Sequence, residues 1–251
     1  MNDERRSHGR EVPAGTLSER EGATVDAPSM GGALFPGAEL GGRYRIVCRV
    51  GAGGMGEVWR AFDLKLRVEV ALKALRDDLF KSERRLELLR QEVRAAREVV
   101  SPNVCRIFDL IELEGRELVS MEYVDGATLL AVLQERGPLE LKEAQDIASQ
   151  FLAGLEAIHK AGLIHRDIKP ENIMLTQEGV VKLADLGLAK RMASENAVGL
   201  THAGAILGTP FYMAPEQAKD FSKVDRRSDI YSLGVTMYRM LTGRVPFDGR
   251  S

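Results

Sequence analysis

Chemistry is most concentrated in eight consecutive residues, His165-Arg166-Asp167-Ile168-Lys169-Pro170-Glu171-Asn172. A carboxylate, an ammonium group and an amide this close together suit phosphoryl transfer. That reaction asks little covalent help of a protein. It needs an aligned hydroxyl, a group to take its proton, and cations to spread charge. Asp167 would orient the hydroxyl and act as base, and Lys169 would stabilise the transferring phosphate. The amide oxygen of Asn172 would ligate Mg²⁺. Asp185, in Ala184-Asp185-Leu186-Gly187, offers a carboxylate to the same ion, which prefers hard oxygen ligands shared with phosphates. His165 reads as a packed structural histidine rather than a catalyst.

Two upstream features could serve the same chemistry. Glycines at Gly51, Gly53 and Gly56 let a backbone turn approach phosphates and aim N–H groups at them. This spacing alone also suits a dinucleotide-binding turn or a plain hairpin. Strand-like sequence on both sides, with no helix following, favours a hairpin lid over a nucleotide. Next, Lys73 ends the apolar run Val70-Ala71-Leu72-Lys73. Facing a cleft, it would neutralise phosphates if a carboxylate held its long side chain in place. Glu92 lies nineteen residues on, with Glu87 and Glu98 as rivals, and in isolation these are also just surface charges.

The surrounding chain must position these groups. It has 251 residues, 44% hydrophobic and 29% charged, with net charge −2, so no global basic excess points to nucleic acid. Two cysteines, Cys48 and Cys105, are too few for a disulfide framework, which makes the reducing cytoplasm the expected compartment. No apolar run within the chain approaches the roughly 18 residues of a membrane span. Residues 1–43 are rich in Gly, Pro, Ala and charge and read as a disordered leader. Short β-like stretches follow at Tyr44–Val50, Gly56–Phe62 and Val68–Ala74, then a helical segment within Lys81–Val100. Further strands are expected at Val104–Leu113 and Arg116–Tyr123. Beyond Gly126, Leu141–Ala161 carries Ile147, Phe151, Leu155 and Ile158 on one helical stripe, stopped by Gly162. Short strands are expected around Ile173–Leu175 and Val180–Leu183. Residues 187–214 lack periodicity and read as a long functional loop. Asp229–Leu241 is apolar on nearly every face, which predicts a helix buried in mid-lobe. The resulting fold class is α+β: a sheet-rich lobe (44–124) and a helical lobe (125–251) with a cleft between them.

In this order the motifs resemble the signature set of the protein kinase family, over about Tyr44 to Phe247. Gly208-Thr209-Pro210 through Ala214-Pro215-Glu216 is similar to its substrate-side loop, and Asp229-Ile230-Tyr231-Ser232-Leu233-Gly234 to the start of its buried helix. Lys169 and the Gly-Thr-Pro segment resemble the serine/threonine branch, and Gly-Gly-Met-Gly-Glu-Val-Trp its bacterial members. The resemblance implies ATP and Mg²⁺ as cofactors and protein Ser/Thr hydroxyls as substrates. By its spacing, Glu92 is the partner of Lys73. The nucleotide would contact Val50, Gly51, Ala52, Gly53, Gly54, Met55, Gly56, Glu57 and Val58. Met121 would be the gatekeeper, backbone groups of Glu122 to Val124 would bind adenine, and Val58, Ala71 and Met174 would sandwich its ring.

The resemblance also implies control through phosphate on the loop: Arg166, assisted by Lys190, would receive it, and Thr201 is the expected self-phosphorylation site. Two positions depart from the family's pattern: Leu186 replaces its usual Phe, and Ala96 is small for a brace of the Glu92 helix. The family's domains continue with more helices than 251 residues hold. Incomplete cover is therefore expected around Ile230, Leu233, Val235, Met237, Tyr238 and Leu241, and Glu216 would lack its usual arginine. A nucleotide-binding pseudokinase or inactive fragment, acting as an interaction module, is the alternative reading.

Overall fold

The computed structural model describes residues 34–53, 56–76, 82–187, 210–219 and 224–247. The first lobe holds strands β1 (Glu39–Leu40), β2 (Tyr44–Gly53), β3 (Gly56–Asp63), β4 (Val68–Leu75), β5 (Ile107–Leu113) and β6 (Arg116–Glu122). They form one antiparallel sheet in the order β1-β2-β3-β4-β6-β5, with helix α1 (Glu83–Arg97) between β4 and β5 in sequence. Ordered structure begins before Tyr44: Glu39 pairs with Arg45 and Leu40 with Tyr44, which shortens the expected leader. Residues 1–33 lie outside the described residues.

Strand alternation explains how the sheet serves the cleft. In β4, successive side chains point to opposite faces, so Ala71, Lys73 and Leu75 share one face while Val70, Leu72 and Ala74 share the other. The second set packs with Tyr44, Ile46, Trp59 and Ala61 into an outer core. Ala71 and Leu75 belong to the inner core, with Leu89, Val93 and Ala96 of α1. A strand buried on both faces needs an almost continuous apolar run, and Lys73 interrupts it at a single position. At the β3–β4 turn, Asp63 is buried, accepts the Lys65 and Leu66 N–H groups at 2.9 and 3.0 Å, and pairs with Arg43 at 2.7 Å.

The second lobe opens with β7 (Gly126–Thr128) and α2 (Leu129–Arg136), whose first turn is capped by Thr128 accepting from Ala131 N–H at 3.1 Å. Helix α3 (Leu141–Lys160) buries Ile147, Phe151, Leu155 and Ile158, the stripe its periodicity predicts. β8 (Ile173–Thr176) and β9 (Val181–Leu183) complete a three-stranded sheet with β7. After a short α4 (Pro215–Lys219), α5 (Arg226–Thr242) starts at an Asp225 cap and ends at left-handed Gly243. The expected burial of α5 holds for Leu233, Val235 and Met240, so the incomplete cover expected at Leu233 and Val235 is not found, whereas Ile230, Tyr238 and Leu241 are exposed along one side. Neither β1 nor α2 is anticipated by the sequence reading.

Candidate active site

The loop carrying Asp167 is held mainly through its backbone. From α5, Asp229 (1% exposed) accepts the N–H of His165 at 2.9 Å and of Arg166 at 2.8 Å, while His159 bonds it at 2.8 Å. Arg166 adopts φ 64°, a left-handed conformation costly for a side-chain-bearing residue, and the bonds around it hold it there. Its carbonyl accepts from Gln217 at 2.7 Å, tying α4 to the same loop. The His165 carbonyl accepts Gly187 N–H at 3.0 Å, and a Cβ on Gly187 would lie 2.6 Å from that oxygen. His165 is fully buried and bonds the Ala184 carbonyl at 3.1 Å, which suits the packed role expected of it.

The placing of Asp167 and its neighbours follows from that anchorage. Asn172 directs both amide hydrogens at Asp167, to its carbonyl at 2.8 Å and its carboxylate at 3.0 Å. Its own amide oxygen is thereby left as the acceptor that a hard cation would take. Lys169 Nζ stands 3.2 Å from the Asp167 carboxylate. Asp185, also left-handed at φ 59°, pairs with Lys73 across the cleft.

That pairing differs from the expected one. Among the described residues Lys73 is paired with Asp185 and not with Glu92, whose Oε1 lies 3.5 Å from Arg166 Nη1. Glu92 is buried on the inner face of α1, as its helical position requires. Spacing in sequence selects the residues; the fold decides which of them pair.

A cavity of about 460 Å³ collects the expected nucleotide residues. β-sheet register explains the assembly: Val58 lies opposite Lys73, Ala71 opposite Met121, and Gly51 opposite Val58. The lining includes Val50, Gly51, Ala52, Gly53, Gly56, Val58, Ala71, Lys73, Met121, Glu122, Val124 and Met174, with Asp167, Lys169, Asn172 and Asp185 from the second lobe. Gly56 needs its missing side chain, since a Cβ at its φ of 142° would lie 1.9 Å from the Ala74 carbonyl oxygen. Gly54 and Met55 lie outside the described residues. Glu57 is absent from the lining; its carboxylate accepts from Arg49 at 3.0 Å and from the Trp59 indole at 3.2 Å. Thr128, Glu171, Tyr123 and Cys105 also line the cavity. Cys105 is buried, and burial pushes its thiol up to about 12. Lys190 and Thr201 lie outside the described residues. Glu216 accepts from Ser228 Oγ at 2.6 Å, which holds its carboxyl below the usual range.

Comparison with known proteins agrees with this geometry. Residues 44–251 match the protein kinase domain, and the chain belongs to that family. It is 39% identical over 218 residues to the serine/threonine-protein kinase PrkC of Bacillus subtilis, covering 87% of this chain and 33% of that protein. To the serine/threonine-protein kinase PknL of Mycobacterium tuberculosis it is 39% identical over 240 residues, covering 96% and 55%. The crystal structure of the Mycobacterium tuberculosis PknI kinase domain superposes with a TM-score of 0.68 at 28% identity, covering 87% of this chain and 81% of that one. The chain thus spans between a third and just over half of the two full-length relatives. Among the described residues, no helix is long and apolar enough to cross a membrane.

Proposed function

We propose that this chain is a serine/threonine protein kinase domain that transfers the γ-phosphate of ATP to hydroxyl groups of proteins. The observation that carries the reading is the convergence of Asp167, Lys169, Asn172, Asp185 and Lys73 on one cavity roofed by the Gly51–Gly56 hairpin. The apolar inner part of that cavity, at Val58, Ala71, Met121 and Met174, suits a flat purine, and its polar mouth suits phosphates.

Asn172 and Asp185 offer the hard oxygen donors that would hold Mg²⁺, with phosphate oxygens completing the shell. The ion would supply charge neutralisation of the phosphates. Lys73 would bind the phosphates on the opposite side, which requires it to give up its pairing with Asp185. Asp167 would take the proton of the acceptor hydroxyl, and Lys169, 3.2 Å away, would stabilise the charge gathering on the transferred group. The two free cysteines suit a reducing cytoplasm, and Thr201 is proposed as a site of self-phosphorylation.

Transfer of labelled phosphate to a generic protein substrate tests this. Asp167→Asn should lower the rate by about 10²- to 10⁴-fold while nucleotide binding persists. Equal rates in the two proteins would remove the assigned role, and absence of label on Thr201 by mass mapping would remove that site. Binding without transfer in the unaltered chain would favour a nucleotide-binding interaction module. The observed pairings of Lys73 with Asp185 and of Glu92 with Arg166 support that second reading, since they occupy the charges catalysis would use.

A further inference from the structure

Glu122, the last residue of β6, is tied from several directions. Its N–H donates to the Arg106 carbonyl at 2.8 Å, and its carboxylate accepts the Arg106 N–H at 3.2 Å. Its carbonyl accepts the Cys105 thiol at 3.3 Å, and both residues line the cavity. The other carboxylate oxygen is 2.5 Å from Lys182 Nζ, and both side chains are mostly shielded, at 29% and 16% exposure. Lys182 sits in β9, three residues before Asp185. Tyr123, next in the chain, has the Arg60 guanidinium over its ring at 4.7 Å, and Arg60 belongs to β3. The connector is therefore tied to both lobes: Tyr123 lies under Arg60 of β3, and the Glu122 carboxylate reaches Lys182 of β9.

We infer that Lys182 is a positioning residue. Its ion pair with Glu122 fixes the connector against β9, and so sets how freely the two lobes turn about the back of the cleft. The tie is charge-assisted and partly withdrawn from water, so it resists screening better than the exposed pairs of this sheet, such as Arg45 with Glu39. Its short lever matters too, because β9 leads directly into Asp185. A shift at Lys182 is passed along three residues to a carboxylate at the opposite end of the same cavity. Cys105 adds a second link, since its own N–H donates to the Leu183 carbonyl at 2.8 Å while its thiol reaches Glu122.

The part of this inference that concerns nucleotide rests on the proposed function; the part that concerns the connector does not. Lys182→Met removes the charge and keeps the aliphatic stem, and Lys182→Arg keeps the charge. Hydrogen–deuterium exchange on the nucleotide-free chain should show the amides of Arg106 and Glu122 exchanging about three- to tenfold faster in Lys182→Met. Lys182→Arg should stay near the unaltered protein. Release of a fluorescent ADP analogue should accelerate in the same order. Equal local exchange in all three proteins, or a uniform rise across the whole chain in Lys182→Met, would overturn the inference. A chain that binds no ADP analogue yet shows the local rise would refute the proposed function and leave the positioning role standing.

Discussion

The catalytic loop and helix α1 position charged side chains in opposite ways. Around Asp167 the fold spends buried backbone hydrogen bonds: two N–H groups on Asp229, a carbonyl on Gln217, another on Gly187. Each is short and lies between elements whose own cores are well packed. Glu92 sits on a single helix whose first residue follows Ser82, a position that makes no side-chain cap. Its ion pair with Arg166 is 3.5 Å long, at the outer limit of a hydrogen bond. A loop fixed through its main chain keeps one geometry whatever its side chains meet. A carboxylate carried on a helix can exchange partners when the helix turns. The Asp167 loop is thus placed through its main chain, whereas Glu92 meets Arg166 through its side chain.

Substitutions at the two regions should separate these behaviours. The largest effect is expected from Asp229→Ala, which leaves the His165 and Arg166 N–H groups unpaired in the interior. Its cost should be about 3–5 kcal/mol of unfolding free energy, read by denaturant titration. A cost under about 1 kcal/mol would mean that α5 does not anchor the loop. Glu92→Gln should cost less, about 1–2 kcal/mol in the same measurement, because it removes the charge and keeps the side chain's shape and hydrogen-bonding groups. A loss as large as that for Asp229→Ala would erase the distinction drawn here.

The smallest effect is expected at the β3–β4 corner of the first lobe, where Asp63 is buried. Burial alone would raise the carboxyl of Asp63, but the Arg43 hydrogen bond and two backbone N–H donors outweigh it and hold the group below its ordinary 3.8. A depressed folded value means that this stability is present above the unfolded value and is lost as pH falls through the folded one. Thermal melts should therefore lose a component of stability on acidification below about pH 4. Asp63→Asn should flatten that part of the profile. An unchanged profile would show that the β3–β4 corner is looser than its hydrogen bonds suggest.

Much of this was legible in the residues, for reasons that differ by region. Strands β2 to β4 follow from short β-branched runs between glycine and charged turns, and α3 from its apolar stripe, because period and burial agree there. The catalytic loop was legible because its chemistry demands particular groups close together in sequence. Strand β1 escaped notice since two residues show no period. Helix α2 escaped because eight residues with leucines on several sides look like any apolar stretch. The partner of Lys73 could not be read, because Asp185 lies 112 residues away in sequence and meets it only through the fold. Lys182 also looked ordinary: a lysine between Val181 and Leu183 is what a half-exposed strand usually carries, and only the β6 end across from it reveals the ion pair.

The left-handed backbone at Arg166 and Asp185 has a further consequence. Glycine would relieve the backbone at both positions, so a chain selected for folding alone would have little reason to keep a guanidinium at one and a carboxylate at the other. Arg67 and Glu114 share this backbone in turns, and of the four only Asp185 lines the cavity. At Asp185 the backbone cost and the placing of a carboxylate in the cavity make competing demands, and the carboxylate is kept.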